Sequence, residues 1–407
     1  MKTKRDYPIF TVTAKGERWL GAGHPWLYAS DVQAEPDTFE NGGIADVAGA
    51  GGKYLGSGFI SEKSKIRVRL LSRNANDNFD RAFWQRRVEY AWAYRKSVMN
   101  ETDRKACRLI FGEADGFPGL TADRFDDVIV TQTTSYGMEK IKPLLMPIIY
   151  DTLTADGENI SGIYERDDEA MRQLEGLEEK KGYYLLPDIA VPEKNSVIIE
   201  ENGVKYNVDF VNGQKTGFYL DQKYNRRTVM NLARGKRVLD CCTHTGSFAL
   251  CAAMGGADRV TAVDISKGAI EQAKENARLN GLSDKVDFVV SDVFDFLDTV
   301  KKGEYDLIIL DPPAFTKSRK TEKAAYRGYV SLNTKAMKAL RRGGYLASCS
   351  CSHFLGEKEF RNAIEAAAKQ SSMDVRQIEY RRQAADHPIL WNVPETDYLK
   401  FYLVQLV

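Results

Sequence analysis

Cysteine is scarce in this chain, with six in 407 residues and no framework spacing. That excludes a disulfide-stapled scaffold and fits a reducing compartment. Long apolar runs are missing as well. No stretch approaches the roughly 20 apolar residues of a membrane helix. The opening MKTKRDYPIF has too few apolar residues for a signal peptide. A cytoplasmic protein without membrane association is the expectation. Neither sign of charge dominates, since 58 Lys and Arg face 57 Asp and Glu, for a net +1. The overall balance therefore does not point to nucleic acid, although an acidic domain can mask a basic one. Internal repeats and low-complexity tracts are absent. What remains is a globular composition, 43% hydrophobic and 28% charged, long enough for two or three domains.

Three modules follow one another. Residues 1–73 are rich in Gly and in short alternating runs, GGIADVAG, KYLGSGFIS and KIRVRLLS, which predict strands separated by turns. In the last run Lys65, Arg67 and Arg69 share one face. They form either a solvated surface or a docking face for a polyanion. Residues 74–190 read as α+β. Helical spacing over FDRAFWQRRVEYAWAYRKSV puts its aromatics in a core rather than on a base-stacking surface. Strands flank the Gly-Pro turn of RLIFGEADGFPGLTADRFDDVIVTQTT, and another lies near GIYER. Residues 191–407 open with a hairpin, VIIEENGVKYNVDF, that turns near Glu201–Gly203. They continue as alternating strands and helices. The strands are KRVLD, RVTAVDI, VDFVVSD, YDLIILD, GYLASCS and LKFYLVQL. Such alternation predicts an α/β, doubly wound parallel sheet, Rossmann-like in type.

Ligands of such sheets bind beyond the carboxyl ends of the strands. Asp240, Asp264, Asp292 and Asp311 fall there, each on its own strand. One such Asp is often only a helix cap; four in register argue for a site. The loop after the first strand, CCTHTGSF, has a single glycine, Gly246, and so lacks the G-x-G-x-x-G that a pyrophosphate requires. S-adenosylmethionine (SAM) has no phosphate and fits better. Asp264 is placed for its ribose hydroxyls, Asp292 for the adenine edge, and Asp240, or a neighbouring acid, for the cationic methionine end. Thr243 and Gly246 join them from the loop.

GGYLASCSCS places Cys349 and Cys351 on one face of a strand. A zinc site would need four ligands, and His353 and His387 stand isolated. A disulfide between the two thiols is sterically poor. Cys351 lies nearer the carboxyl end, where a substrate sits. From the residues alone it is either an inert buried thiol or a nucleophile.

DCCTHTGSFAL, VDIS, SDVFDFL and DPPAFTKS resemble the motifs of class I SAM-dependent methyltransferases. GFYLDQKYNRR, RQAADHPI, GEADGFPGLTADRF and the front module with GHPWLYASD and LGSGFIS resemble the 23S rRNA (cytosine-5) methyltransferase family of RlmI type, whose front module is a PUA (RNA-binding) domain. This resemblance spans nearly the whole chain. It implies a PUA-like domain at 1–73, a central domain at 74–190 and a SAM-dependent methyltransferase domain at 191–407. It also implies an rRNA partner, a homodimer, and SAM contacts from Phe218, Asp221, Gln222 and Arg226. His244 departs from the class pattern, standing where the first loop glycine usually is.

The same resemblance implies a chemistry. Carbon 5 of cytosine is nucleophilic only after a thiolate adds to carbon 6, with an acid near N3 to stabilise the adduct. The family motif, counted from Gly343-Gly344, places the nucleophile on Cys351 and leaves Cys349 as packing. Asp311 is the acid, Pro312 offers a carbonyl to the exocyclic amine, and Phe315 can stack on the base or pack. Lys65 and Arg67 are the candidate RNA contacts. Ala314 stands where many relatives in this class carry a second cysteine, which leaves the acceptor of the carbon 5 proton open. The alternatives are methylation of a ring nitrogen such as guanine N7, which needs no thiol, and a non-catalytic RNA-binding or assembly protein.

Overall fold

The computed structural model describes residues 6–168, 170–316 and 319–407. The chain divides into two compact units. One runs to Ile198 and takes in Val208–Phe218 and Ala385–Thr396; the other takes Ile199–Asn207, Tyr219–Ala384 and Asp397–Val407.

The first unit holds two sheets. The front sheet has six strands in the order Trp26–Tyr28, Ile66–Ser72, Tyr54–Ile60, Ile44–Ala48, Ile9–Val12, Val32–Ala34. Phe10, Val12, Leu27, Val47, Ile60 and Val68 form its core. The three strands expected from alternation are present. The other three are only three or four residues long, too short to show a period. The helix Ala14–Gly21, capped by the Thr13 hydroxyl, also escaped the sequence reading. Gly58 is needed where two strands close up, because a Cβ there would lie 2.0 Å from the Arg69 carbonyl oxygen.

The second sheet runs Lys180–Tyr183, Gly162–Asp167, Val128–Thr133, Leu120–Phe125, Ala106–Phe111, with helices Arg81–Val98 and Tyr136–Ala155. Phe83, Trp84 and Trp92 are buried in its core, as expected of the helix's aromatics, whereas Tyr90 is exposed. A polar knot ties helix Tyr136–Ala155 to the strand Gly162–Asp167. The Lys142 ammonium is bonded to Glu139 (2.8 Å), Glu165 (2.7 Å) and Asp167. Arg172 adds a second cation at Glu139 (2.9 Å). These three carboxylates are close enough together to hold a metal ion; the ammonium already fills that role. Burial opposes the charge on Lys142, but Asp167 and its neighbours outweigh burial and raise the Lys142 pKa.

The hairpin Ser196–Glu201 and Val204–Asp209 turns through Asn202 and Gly203, both at positive φ (55° and 78°). In the second unit a seven-stranded sheet follows the order Val286–Val290, Arg259–Asp264, Arg237–Cys241, Leu307–Leu310, Tyr345–Ser350, Lys400–Leu406, Val375–Arg381. The first five are parallel. The parallel sheet expected from alternation needs two corrections. Lys400–Leu406 runs antiparallel to both its neighbours. Val375–Arg381 is a strand the reading missed, because a polar edge strand has no apolar run to reveal it. The strand order reverses between Arg237–Cys241 and Leu307–Leu310, so a binding crevice opens at the ends of these two.

Candidate active site

Asp240 lies near the end of the strand Arg237–Cys241 and is buried. Its Oδ2 accepts from Thr243 Oγ1 (2.5 Å) and the Ala249 amide (2.9 Å). Thr243, expected at the cofactor, therefore orients this carboxylate. Burial above all, reinforced by nearby Asp311, pushes Asp240 up to about 7. The loop beyond it passes through positive φ at Cys242, His244 and Gly246 (63°, 51° and 84°). Two of these are not glycine, which marks a conformation held against local preference. Gly246 is required, since a Cβ at its φ would also lie 3.1 Å from the Ala273 Cβ. The His244 amide donates to Asp264 (2.9 Å), and burial lowers the imidazole pKa, favouring the neutral ring.

Asp311 directly follows the neighbouring strand, Leu307–Leu310. Burial first, then Asp221, pushes it up to about 7. Gln222 donates to its Oδ1 (3.0 Å) and accepts from Asn225 (2.6 Å). The cofactor contact expected of Gln222 becomes an anchor on Asp311. Cys349 is fully buried within its strand, as expected of packing. Asp221 accepts from Tyr398 (2.6 Å).

Cys351 is the first residue beyond the strand Tyr345–Ser350 and is part-buried, between the fully buried Ser350 and Ser352. Burial, Asp311 and Asp221 push its thiol up to about 12, while Lys400 works in the opposite direction.

Other expected residues fall elsewhere. Arg226 is buried in a two-pronged pair with Glu201 (2.6 and 2.9 Å) and also donates to the Tyr219 carbonyl (2.8 Å). That geometry makes Arg226, expected at the cofactor, a brace between Glu201 and the Tyr219 carbonyl. Asp264 accepts the Ser266 amide (2.8 Å) and keeps its place at its strand end. Asp292 is exposed and caps helix Val293–Thr299. Pro312 is buried. Phe315 is part-buried and packs on Tyr329, centroids 4.5 Å apart. Lys317 and Ser318 of DPPAFTKS lie outside the described residues. Phe218 is buried and belongs to the first unit. In that unit Lys65 is exposed, whereas Arg67 is held by Glu35 (3.0 Å) and the carbonyls of Ser61 and Glu62. Arg69 pairs with Glu175 (2.7 Å). The expected basic face is largely neutralised. Another basic feature escaped the sequence reading: a cavity of about 410 Å³ lined by Lys15, Arg18, Trp19, Ala22, Tyr28 and Asp31.

Among the described residues Asp221 Oδ1, Asp240 Oδ1 and Thr245 Oγ1 are buried without a hydrogen-bond partner. Buried acceptors left open cost free energy unless a ligand donates to them. A cationic, hydroxyl-bearing ligand suits this set.

Comparisons with known proteins give that ligand a name. Residues 190–388 match the family described as S-adenosylmethionine-dependent methyltransferase, and residues 10–73 match a PUA-like domain. A protein from Streptococcus mutans assigned as a SAM-dependent methyltransferase superposes with TM-score 0.80 at 22% identity, covering 98% of this chain and 99% of that one. A methyltransferase solved in complex with SAH superposes with TM-score 0.81 at 22% identity, with the same coverage. At that identity both speak for the fold alone. Fold and site thus define a SAM-dependent methyltransferase with a PUA-like domain, and SAM is its cofactor. "Ribosomal RNA large subunit methyltransferase I" of Shigella dysenteriae is 37% identical over 402 residues, 97% of this chain and 98% of that protein. The Klebsiella pneumoniae protein of the same name is 38% identical with the same coverage. This chain belongs to the ribosomal RNA large subunit methyltransferase I family.

Proposed function

We propose that this enzyme forms 5-methylcytosine in large-subunit (23S) ribosomal RNA, with Cys351 as nucleophile and Asp311 as acid. The observation that carries this reading is the pairing of these two groups. They end adjacent parallel strands, and Asp311 is a main neighbour acting on the thiol. The Cys351 thiolate adds to carbon 6, and Asp311, which holds a proton near neutral pH, donates toward N3. Once carbon 5 is methylated, loss of its proton restores the ring and expels the thiol. Pro312 offers its carbonyl to the exocyclic amine. Bound SAM supplies a methyl group on a cationic sulfur. Asp240 and Asp221 meet its charged end, Asp264 its ribose, and Asp292 its adenine edge alongside the helix cap.

RNA docks on the PUA-like domain, with Lys65 and the Lys15–Arg18–Trp19–Tyr28 cavity as its face; Arg18, Trp19 and Tyr28 in the cavity support this, while its Lys15 pairs with Asp31 (3.0 Å). Base access requires an unpaired or flipped cytosine. Among the described residues no helix is long and apolar enough to cross a membrane, and we place the enzyme in the cytoplasm beside its rRNA, as a homodimer. Mapping 5-methylcytosine in rRNA from cells with and without the gene tests the product: one site should disappear, and identical maps overturn the proposal. Cys351→Ala should abolish transfer. Methylation that persists in this variant favours a ring nitrogen. RNA binding insensitive to salt overturns the docking face, and a monomer in sedimentation overturns the homodimer.

A further inference from the structure

One buried cation of the second unit is not used by this chemistry. Lys400 begins the antiparallel strand Lys400–Leu406, opposite Ser350 in register. It is 4% exposed. Its Nζ donates to the carbonyls of Ser352 (2.8 Å) and Tyr398 (2.9 Å). Ser352 is also held by the Tyr329 hydroxyl (3.0 Å). The residue after Cys351 is thus fastened from two elements, and one fastener carries a positive charge. Burying an ammonium against neutral carbonyls is costly, and among the described residues no carboxylate forms an ion pair with it.

We infer that Lys400 is a positioning residue for Cys351, clamping the backbone beside the thiol and stabilising its thiolate by charge. Its role as a helper of the reaction rests on the nucleophile assigned above. Asp311 and Asp221 face the thiol and disfavour the thiolate; Lys400 opposes them. Asp397 and Glu359 favour the charge on Lys400 and Arg382 opposes it. Burial lowers Lys400 to about 8, so the charge is present at neutral pH and lost above it.

The test is the rate of iodoacetamide labelling at Cys351, followed by peptide mass from pH 6.5 to 10 in the full chain. Cys242, also part-buried, serves as the internal control. Lys400→Gln keeps hydrogen-bond donors but drops the charge. It should slow labelling at Cys351 about tenfold or more at pH 7.5, the shift expected from one close opposite charge, and leave Cys242 unchanged. The gap should close above pH 9, where wild-type Lys400 is neutral. Lys400→Arg should label like wild type at pH 7.5 and keep its advantage above pH 9. Superimposed profiles for wild type and Lys400→Gln overturn the inference. Labelling needs no substrate, so its failure is distinct from failure of Cys351→Ala to abolish methylation.

Discussion

Among the described residues two sets of three carboxylates, one in each unit, differ in what faces them. Glu139, Glu165 and Asp167 meet the cations Lys142, Arg172 and Lys180. Among the described residues Asp221, Asp240 and Asp311 accept side-chain hydrogen bonds from neutral donors, namely Tyr398, Thr243, the Ala249 amide and Gln222, and the Arg226 charge reaches Asp311 without pairing with it. The first cluster is complete without a ligand and holds a sheet together. The second keeps open acceptors and two carboxyl groups raised to about 7. Acids given cations serve the fold; acids denied them are kept for a proton or a cationic ligand.

Asp311→Asn strikes that contrast hardest. It should cut methyl transfer to rRNA by about 10²–10⁴, with the melting temperature unchanged or raised; full activity breaks the contrast. Lys142→Met should do the opposite, lowering stability by about 3–5 kcal/mol in denaturant unfolding while leaving SAM affinity intact. Asp240→Asn should weaken SAM binding about tenfold to a hundredfold in calorimetry, the worth of a charge-assisted hydrogen bond.

A pH series sharpens it further. Asp240 and Asp311 titrate near 7 when folded and near ~3.9 when unfolded. The folded chain holds the extra protons in between, so their contribution is full below about pH 4 and is lost as pH rises to about 7. Wild-type stability minus that of the Asp240→Asn, Asp311→Asn double variant should fall across that window; a flat difference contradicts the raised values. The smallest effect belongs to Asp292→Ala, which removes a cap and should cost about 0.5–2 kcal/mol in unfolding.

Much of this site was legible beforehand because strands have a fixed direction and period. Asp240, Asp264 and Asp311 were found as the last residues of apolar runs, and Cys351 as the thiol nearer the strand end. Partners distant in sequence were not legible. Glu201 claims Arg226, Asp311 claims Gln222, and Glu35 claims Arg67, each pairing separated by a span that no local pattern encodes. Lys400 left one trace, a lone cation opening an apolar strand. Its neighbour could not be read, because the antiparallel return of that strand brings it beside Ser350.

Sequence alone determined the strands that carry a clear apolar run, where the carboxylates end them, and which thiol sits outermost, since these follow from local periodicity and chain order. Tertiary structure decided which acids are satisfied and which are held open. Burial and charge pairing act between residues far apart in the chain, so only the packed molecule sets whether a carboxylate braces the fold or waits for a ligand.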